Sequence, residues 1–143
     1  MQTLVPYDDF ELCAQVLDNK RLNKQRIESF QILRAITDDT YGWQSHPAVH
    51  MWRGHIGGLV TYSLAICREW RNRDGADNTN LYGRIAAFGA DDNLPAWWGD
   101  ERIHESHRSN LFHKEPSWYE QFWTNLPELP YFWPTKEGYD VGV

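Results

Sequence analysis

The apolar side chains of this chain recur at helical spacing, and no segment alternates apolar and polar residues as a half-buried strand does. The clearest run lies between residues 49 and 70 and holds this spacing over about six turns. Its members are Val49, Trp52, Ile56, Leu59, Ile66, Cys67 and Trp70. The pattern predicts an all-α protein with a long central helix.

Capping and breaking residues predict further helices over residues 9–17, 18–36, 80–88, 101–114 and 117–123. Asp18 or Asn19 is expected to cap the second of these. The long central helix is predicted to start near Ser45 and to contain three glycines, at positions 54, 57 and 58. Because each interior glycine costs about 1 kcal/mol relative to alanine, a neighbouring helix or a ligand is expected to approach that backbone closely.

The 143 residues, 41% of them hydrophobic, predict one compact helical domain over residues 1–143. Residues 126–134 contain three prolines and the run Tyr131-Phe132-Trp133, which predicts an extended aromatic and proline-rich tail packed across the core. No apolar run approaches the ~20 residues that a membrane span needs. With two cysteines and no secretory signal, the chain is expected to be a cytoplasmic protein that does not enter membranes.

Charge is segregated along the sequence. The net charge is −6, which weighs against a protein that coats DNA nonspecifically. Residues 18–35 nevertheless carry five cations and two anions, a local net charge of +3. Residues 74–101 carry six anions and one cation, and residues 115–143 carry five anions and one cation. An anionic partner is therefore expected at the first of these segments, unless it is simply a solvated helix surface.

The basic segment surrounds one carboxylate, that of Glu28, with cations at Lys20, Arg21, Lys24 and Arg26. Positive neighbours keep a carboxylate ionised, and Lys and Arg side chains bind a phosphate backbone. Ordinary surface salt bridges are the alternative explanation of this run.

Two histidine pairs lie at helical spacing, His46 with His50 and His104 with His107. A metal site needs pairs on one helix side, but neither pair completes a metal-binding pattern, so we predict hydrogen-bonding or packing roles. We predict no metal and no cofactor.

A polar run follows over residues 104–111. In it His107, Arg108 and Asn110 are side chains of the types that bind phosphate or base edges. The loop pair Trp97-Trp98 either stacks on bases or packs in the core.

Three segments, in this order, resemble the pyrimidine dimer DNA glycosylases of the phage endonuclease V type. They are Leu17-Asp18-Asn19-Lys20-Arg21-Leu22 with Arg26-Ile27-Glu28, Gly54-His55-Ile56 followed by Tyr62, and His104-Glu105 followed by Pro116-Ser117-Trp118-Tyr119. The likeness spans about residues 1–122. The string Ser-His-Arg-Ser-Asn-Leu is similar to one that recurs in a bacterial branch of this superfamily.

The resemblance implies an enzyme whose N-terminal α-amine attacks C1′ of a damaged nucleotide, forms a Schiff base and cuts the strand by β-elimination. Here that amine belongs to Met1, because Gln2 is too bulky for the usual removal of the initiator. A Glu on the early basic helix assists proton transfer in this family, and Glu28 is the only Glu on that helix. An alignment without gaps places Asn23 at the same point instead.

The resemblance also implies a partner, DNA or a modified nucleotide, and we expect the protein to act as a monomer. The residues expected to bind nucleic acid are Lys20, Arg21, Lys24, Arg26, His107, Arg108 and Asn110. Because the phage enzymes are strongly basic and this chain is acidic, a modified base, a single strand and a free nucleotide are alternative substrates. A noncatalytic nucleic-acid or nucleotide binding module and a His-based metal hydrolase are the other functions that the sequence leaves open.

Overall fold

The computed structural model describes residues 1–134, which contain seven helices and no strand. The helices are α1 (Phe10–Val16), α2 (Asn19–Thr37), α3 (Pro47–His50), α4 (Ile56–Asn72), α5 (Leu81–Ala86), α6 (Glu101–Lys114) and α7 (Pro116–Tyr119). The predicted all-α class is confirmed. Among these residues, no helix has both the length and the apolar character that crossing a membrane requires.

The start predicted for the first helix is confirmed, and of the two cap candidates for the second helix the cap is Asp18 and not Asn19. The Asp9 carboxylate accepts a hydrogen bond from the Leu12 N–H at the start of α1, and the Asp18 carboxylate accepts one from the Arg21 N–H at the start of α2. Helix α6 has the bounds that the sequence predicts. Side-chain caps of this kind can be read from a sequence because they depend on neighbouring residues alone.

The long central helix is shorter than predicted, because a turn separates α3 from α4. Gly54 occupies this turn with φ +82°, a left-handed conformation that glycine adopts without steric cost. The close approach expected at the other two glycines is confirmed. A Cβ on Gly57 would lie 2.0 Å from the Asp91 carboxyl group, and one on Gly58 would lie 2.8 Å from the Asn93 carbonyl oxygen. The neighbour is the loop that follows α5, and not a helix or a ligand as expected.

Helix α4 forms the centre of the core and contacts α1, α2 and α5. The loop before α6 packs onto the same core through the two tryptophans that were candidates for base stacking. Trp97 is fully buried, and its indole N–H donates to the Met51 carbonyl at 2.8 Å. Trp98 lies against the Phe10 ring, with 4.5 Å between the ring centroids. Trp97 is therefore a core residue, and Trp98 is half-buried against the core.

The tail packs along α6, as predicted. The Ser109 hydroxyl donates to the Pro127 carbonyl at 2.7 Å and accepts from the Leu129 N–H at 2.8 Å. The Ser106 hydroxyl accepts from the Phe132 N–H at 3.0 Å. Residues 126–134 thus lie across one side of α6. The expectation of a single domain over residues 1–143 extends past residue 134 and stays a prediction.

Residues 2–5 are buried although they belong to no helix. Two histidines of α6 bond both backbone groups of Val5: its N–H donates to His107 Nδ1 at 2.9 Å, and its carbonyl accepts from His104 Nδ1 at 2.8 Å. Nδ1 of His104 carries the proton because its Nε2 accepts from the Gly99 N–H. The histidine pair therefore holds the N-terminal segment. Within residues 1–134, no cluster of three His, Cys, Asp or Glu side chains is placed to bind a metal ion.

The buried imidazole of His107 predicts a pH-dependent stability. The pKa of His107 is lowered from 6.5 to about 3, mainly by burial and in addition by electrostatic interaction with His104 and Lys114. Since the folded-state pKa lies below the unfolded value, the stabilisation is complete above pH 6.5 and is lost as the pH falls toward 3. We expect the free energy of unfolding to fall by up to about 1.4 kcal/mol per pH unit between pH 6.5 and 5, as measured by urea denaturation.

His107→Asn should remove most of this slope, because the Asn side-chain oxygen can accept from Val5 without titrating. The matched control is His113→Asn, at an exposed position of the same helix, and it should keep the slope. The carboxyl groups of Asp77 and Asp100, whose pKa values lie below 3.8, do not titrate in this range. An unchanged slope in His107→Asn would contradict the assignment.

Candidate active site

A pocket of about 190 Å³ lies where the start of the chain meets α2, the end of α6 and the tail. Its lining includes Met1, Arg21, Lys24, Glu28, Lys114 and Trp133. The pocket thus brings together the two residues that the family resemblance makes catalytic and three cations.

Gln25 fixes the start of the chain against α2. Its side-chain Nε2 donates to the Gln2 carbonyl at 2.8 Å, and its Oε1 accepts from the Leu4 N–H at 2.8 Å. The Tyr62 hydroxyl, on α4, contacts Gln25 Oε1 and donates to the Leu4 carbonyl at 2.9 Å. Gln25 is not among the residues predicted from the sequence, although its spacing of three residues from Glu28 puts the two on the same side of α2.

The Glu28 carboxylate lines the pocket and binds the N-terminal backbone. Its Oε2 accepts a hydrogen bond from the Gln2 N–H at 3.1 Å, and its Oε1 lies 3.6 Å from Lys24 Nζ. The Glu28 side chain is 13% exposed, whereas that of Lys24 is 67% exposed. The α-nitrogen of Met1 is only three covalent bonds from the Gln2 nitrogen that Glu28 binds, and both Met1 and Glu28 line the pocket.

His46 lies near this pair. Partial burial lowers the pKa of His46; the positive N-terminus lowers it further, while Glu28 acts in the opposite direction. The imidazole is therefore neutral at pH 7. Its Nδ1 accepts the Ala48 N–H at 3.0 Å at the start of α3, so Nε2 carries the proton.

Three cations line the pocket, and they differ in their partners. Arg21 is held by carboxylates, with Asp18 at 3.3 Å and Glu115 at 3.7 Å. Lys24 is exposed, and Lys114 is also exposed, with its Nζ 3.3 Å from the Tyr131 hydroxyl. Lys114 is a site residue that the sequence analysis missed.

The other two cations predicted on the basic helix lie elsewhere. Lys20 lines a separate surface depression beside Trp118. Arg26 is 7% exposed, lies 3.2 Å from the Asp77 carboxylate and donates to the Asn23 side-chain oxygen at 2.6 Å. Arg26 therefore secures α2 to the segment before α5. Of the two residues that the sequence left open for the family's Glu, Glu28 lines the pocket and Asn23 bonds Arg26.

The three α6 residues expected to bind nucleic acid do not line the pocket. His107 is 1% exposed and bonds Val5. Arg108 donates to the Pro6 carbonyl at 2.7 Å and pairs with Glu101. The Asn110 amide donates to the Ser106 and Leu129 carbonyls. In the structure they hold the N-terminal segment and the tail that form two sides of the pocket.

Comparison with known proteins identifies the family. Residues 1–82 match the family model described as pyrimidine dimer DNA glycosylase. No curated protein and no solved structure matches the chain. The matched residues are more than half of the 143 and supply Met1, Gln25 and Glu28. The chain therefore belongs to the pyrimidine dimer DNA glycosylase family.

Proposed function

We propose that the protein is a DNA glycosylase with abasic-site lyase activity, in which the Met1 α-amine is the nucleophile and Glu28 handles the protons. Family membership supports DNA glycosylase activity and DNA as the partner. One observation carries the residue assignment: the Gln2 backbone nitrogen lies 3.1 Å from Glu28 Oε2. This bond ties the start of the chain to a shielded carboxylate inside a pocket.

The proposed reaction begins with attack of the neutral amine on C1′ of the damaged nucleotide. The bond from C1′ to the base breaks, and the base leaves with the electron pair and takes up a proton. The new C–N centre loses a proton to Glu28, and the bond from C1′ to O4′ breaks as O4′ takes up a proton, which opens the sugar ring and gives a protonated imine. Removal of a C2′ proton then expels the 3′ phosphate, and water hydrolyses the imine to restore the amine.

Each proposed participant suits its step. Unlike the amine of a lysine side chain, an α-amine is partly neutral near pH 7 and can act as a nucleophile. The Glu28 carboxylate accepts the proton that the amine loses, and its negative charge stabilises the cationic imine.

The size of the pocket favours a single base. A cavity of about 150 Å³ accommodates a benzene ring, so about 190 Å³ has room for one damaged or modified pyrimidine. A base in a duplex cannot reach such a pocket without leaving the stack. We therefore propose that a duplex substrate presents its nucleotide flipped out of the helix.

Borohydride trapping tests the nucleophile. Incubation with abasic-site DNA and borohydride should give a covalent protein–DNA adduct, because borohydride reduces the imine to a stable amine. A short peptide added before Met1 should abolish the adduct, since it converts the amine to an amide. The same peptide added at the C-terminus is the control and should leave the adduct unchanged. Persistence of the adduct after the N-terminal addition would exclude Met1.

Glu28→Gln tests the proton-handling group. The Gln side-chain oxygen can still accept from the Gln2 N–H, so the start of the chain should stay in place while the charge is lost. We expect the trapping rate to fall by about 10²-fold to 10⁴-fold. Glu120→Gln, at an exposed position outside the pocket lining, should react like the wild type. DNA binding by the wild type without any adduct would favour the noncatalytic binding module.

The exposed lysines of the pocket predict the salt dependence of DNA binding. Lys24→Ala and Lys114→Ala should each reduce the slope of log affinity against log salt by about 0.9, because each lysine displaces about one counterion from a phosphate. Fluorescence anisotropy with labelled abasic-site DNA over a salt series measures this slope. Arg84→Ala is the control, because Arg84 lies over the Phe30 ring, away from the pocket. Slopes in both lysine variants that equal the slope of the wild type would contradict a phosphate path across the pocket.

A further inference from the structure

Trp43 stands apart from the other tryptophans. Trp43 is 56% exposed, whereas the other seven tryptophans are buried or half-buried. Its backbone has φ +71°, a left-handed conformation that is strained for a bulky residue. The Trp43 carbonyl accepts the His46 N–H at 3.0 Å, which closes the turn that places the ring at the surface. A strained backbone that holds a large aromatic ring in solvent is an outlier from which a function can be hypothesised.

The Trp43 ring begins a row of aromatic rings that leads to the pocket. It lies edge-on to the His46 ring, with 5.9 Å between centroids. The His46 ring lies edge-on to Trp133, at 6.2 Å, and Trp133 lines the pocket with Met1 and Glu28. We call Trp43, His46 and Trp133 the aromatic row.

We propose that the aromatic row is a subsite for a nucleobase that has lost a stacking partner and that Trp43 stacks on that base. The proposal rests on the proposed function, because a nucleotide withdrawn into the pocket leaves its neighbour on the same strand without a stacking partner. Aromatic side chains stack on any base, since every base has a π-face.

The charge at the row agrees with an uncharged base as its ligand. Its three side chains are two indoles and one imidazole that is neutral at pH 7. The phosphates of the same strand would meet Lys24 and Lys114, which line the pocket that the row adjoins. The row therefore extends the proposed binding surface along the DNA strand. It adds a contact that depends on stacking and not on charge.

DNA binding by Trp43 variants tests the subsite. We expect Trp43→Ala and Trp43→Leu to weaken binding of abasic-site duplex by about 5-fold to 100-fold, and Trp43→Phe to keep most of the affinity. The loss should be the same at every salt concentration, because stacking releases no counterions. Phe122→Ala, at an aromatic residue that is 41% exposed and outside the pocket lining, is the matched control and should bind like the wild type.

A fluorescent base gives a second measurement on the wild type. A set of duplexes carries 2-aminopurine at one position each, either beside or opposite the abasic site. The wild type should quench the emission at one position beside the abasic site. Trp43→Leu should not quench it there. Equal affinity and equal emission for the wild type and Trp43→Leu would overturn the subsite. So would a Trp43→Leu effect limited to self-association in sedimentation, which would make the row a contact between copies.

Trapping separates this proposal from the proposed function. An adduct in the wild type together with unchanged binding by Trp43→Leu would overturn the subsite alone. Weakened binding by Trp43→Leu without any wild-type adduct would overturn the lyase mechanism and support the subsite.

Discussion

The structure depends on a set of side chains that bond the backbone of a buried N-terminal segment. A non-helical segment inside a helical protein has no neighbouring strand, so its N–H and C=O groups need side-chain partners or remain unsatisfied at a high cost. Helices α2, α4 and α6 supply these partners as Glu28, Gln25, Tyr62, His107, His104 and Arg108. The same bonds that allow the segment to be buried place the first residue of the chain beside a carboxylate.

Features set by neighbouring residues could be predicted from the sequence. Asp9 and Asp18 mark the starts of α1 and α2 because a cap involves residues two or three positions apart. The break between α3 and α4 could not be predicted from periodicity, because Trp52 and the apolar residues on both sides of the turn are buried. A run of buried residues has the same spacing whether a helix continues or a turn intervenes. Gly54 was the sequence feature that could have indicated the turn.

The site residues were harder to predict, because a residue type shows what a side chain can bind and not what it contacts. Helix geometry explains the case of Arg26. Successive residues are separated by about 100°, so Arg26 and Glu28 point about 160° apart, while Gln25 and Lys24 lie on the Glu28 side. For His107 and Arg108, no local rule was available, since their partners Val5 and Pro6 are about a hundred positions away in the sequence. Lys114 could not be predicted for the same reason, since it lies far in sequence from Met1 and Glu28, with which it lines the pocket.

The contacts of three arginines explain how an acidic chain can contain the proposed DNA site. Arg26, Arg73 and Arg108 hold elements of the fold together through carboxylates and backbone carbonyls, so these charges are not available to phosphates. The exposed cations that remain at the pocket are the lysines at positions 24 and 114, which provide a small counterion-release term. The proposed site therefore gains little affinity for undamaged duplex. Under this proposal, selectivity comes from contacts that only a withdrawn nucleotide can make.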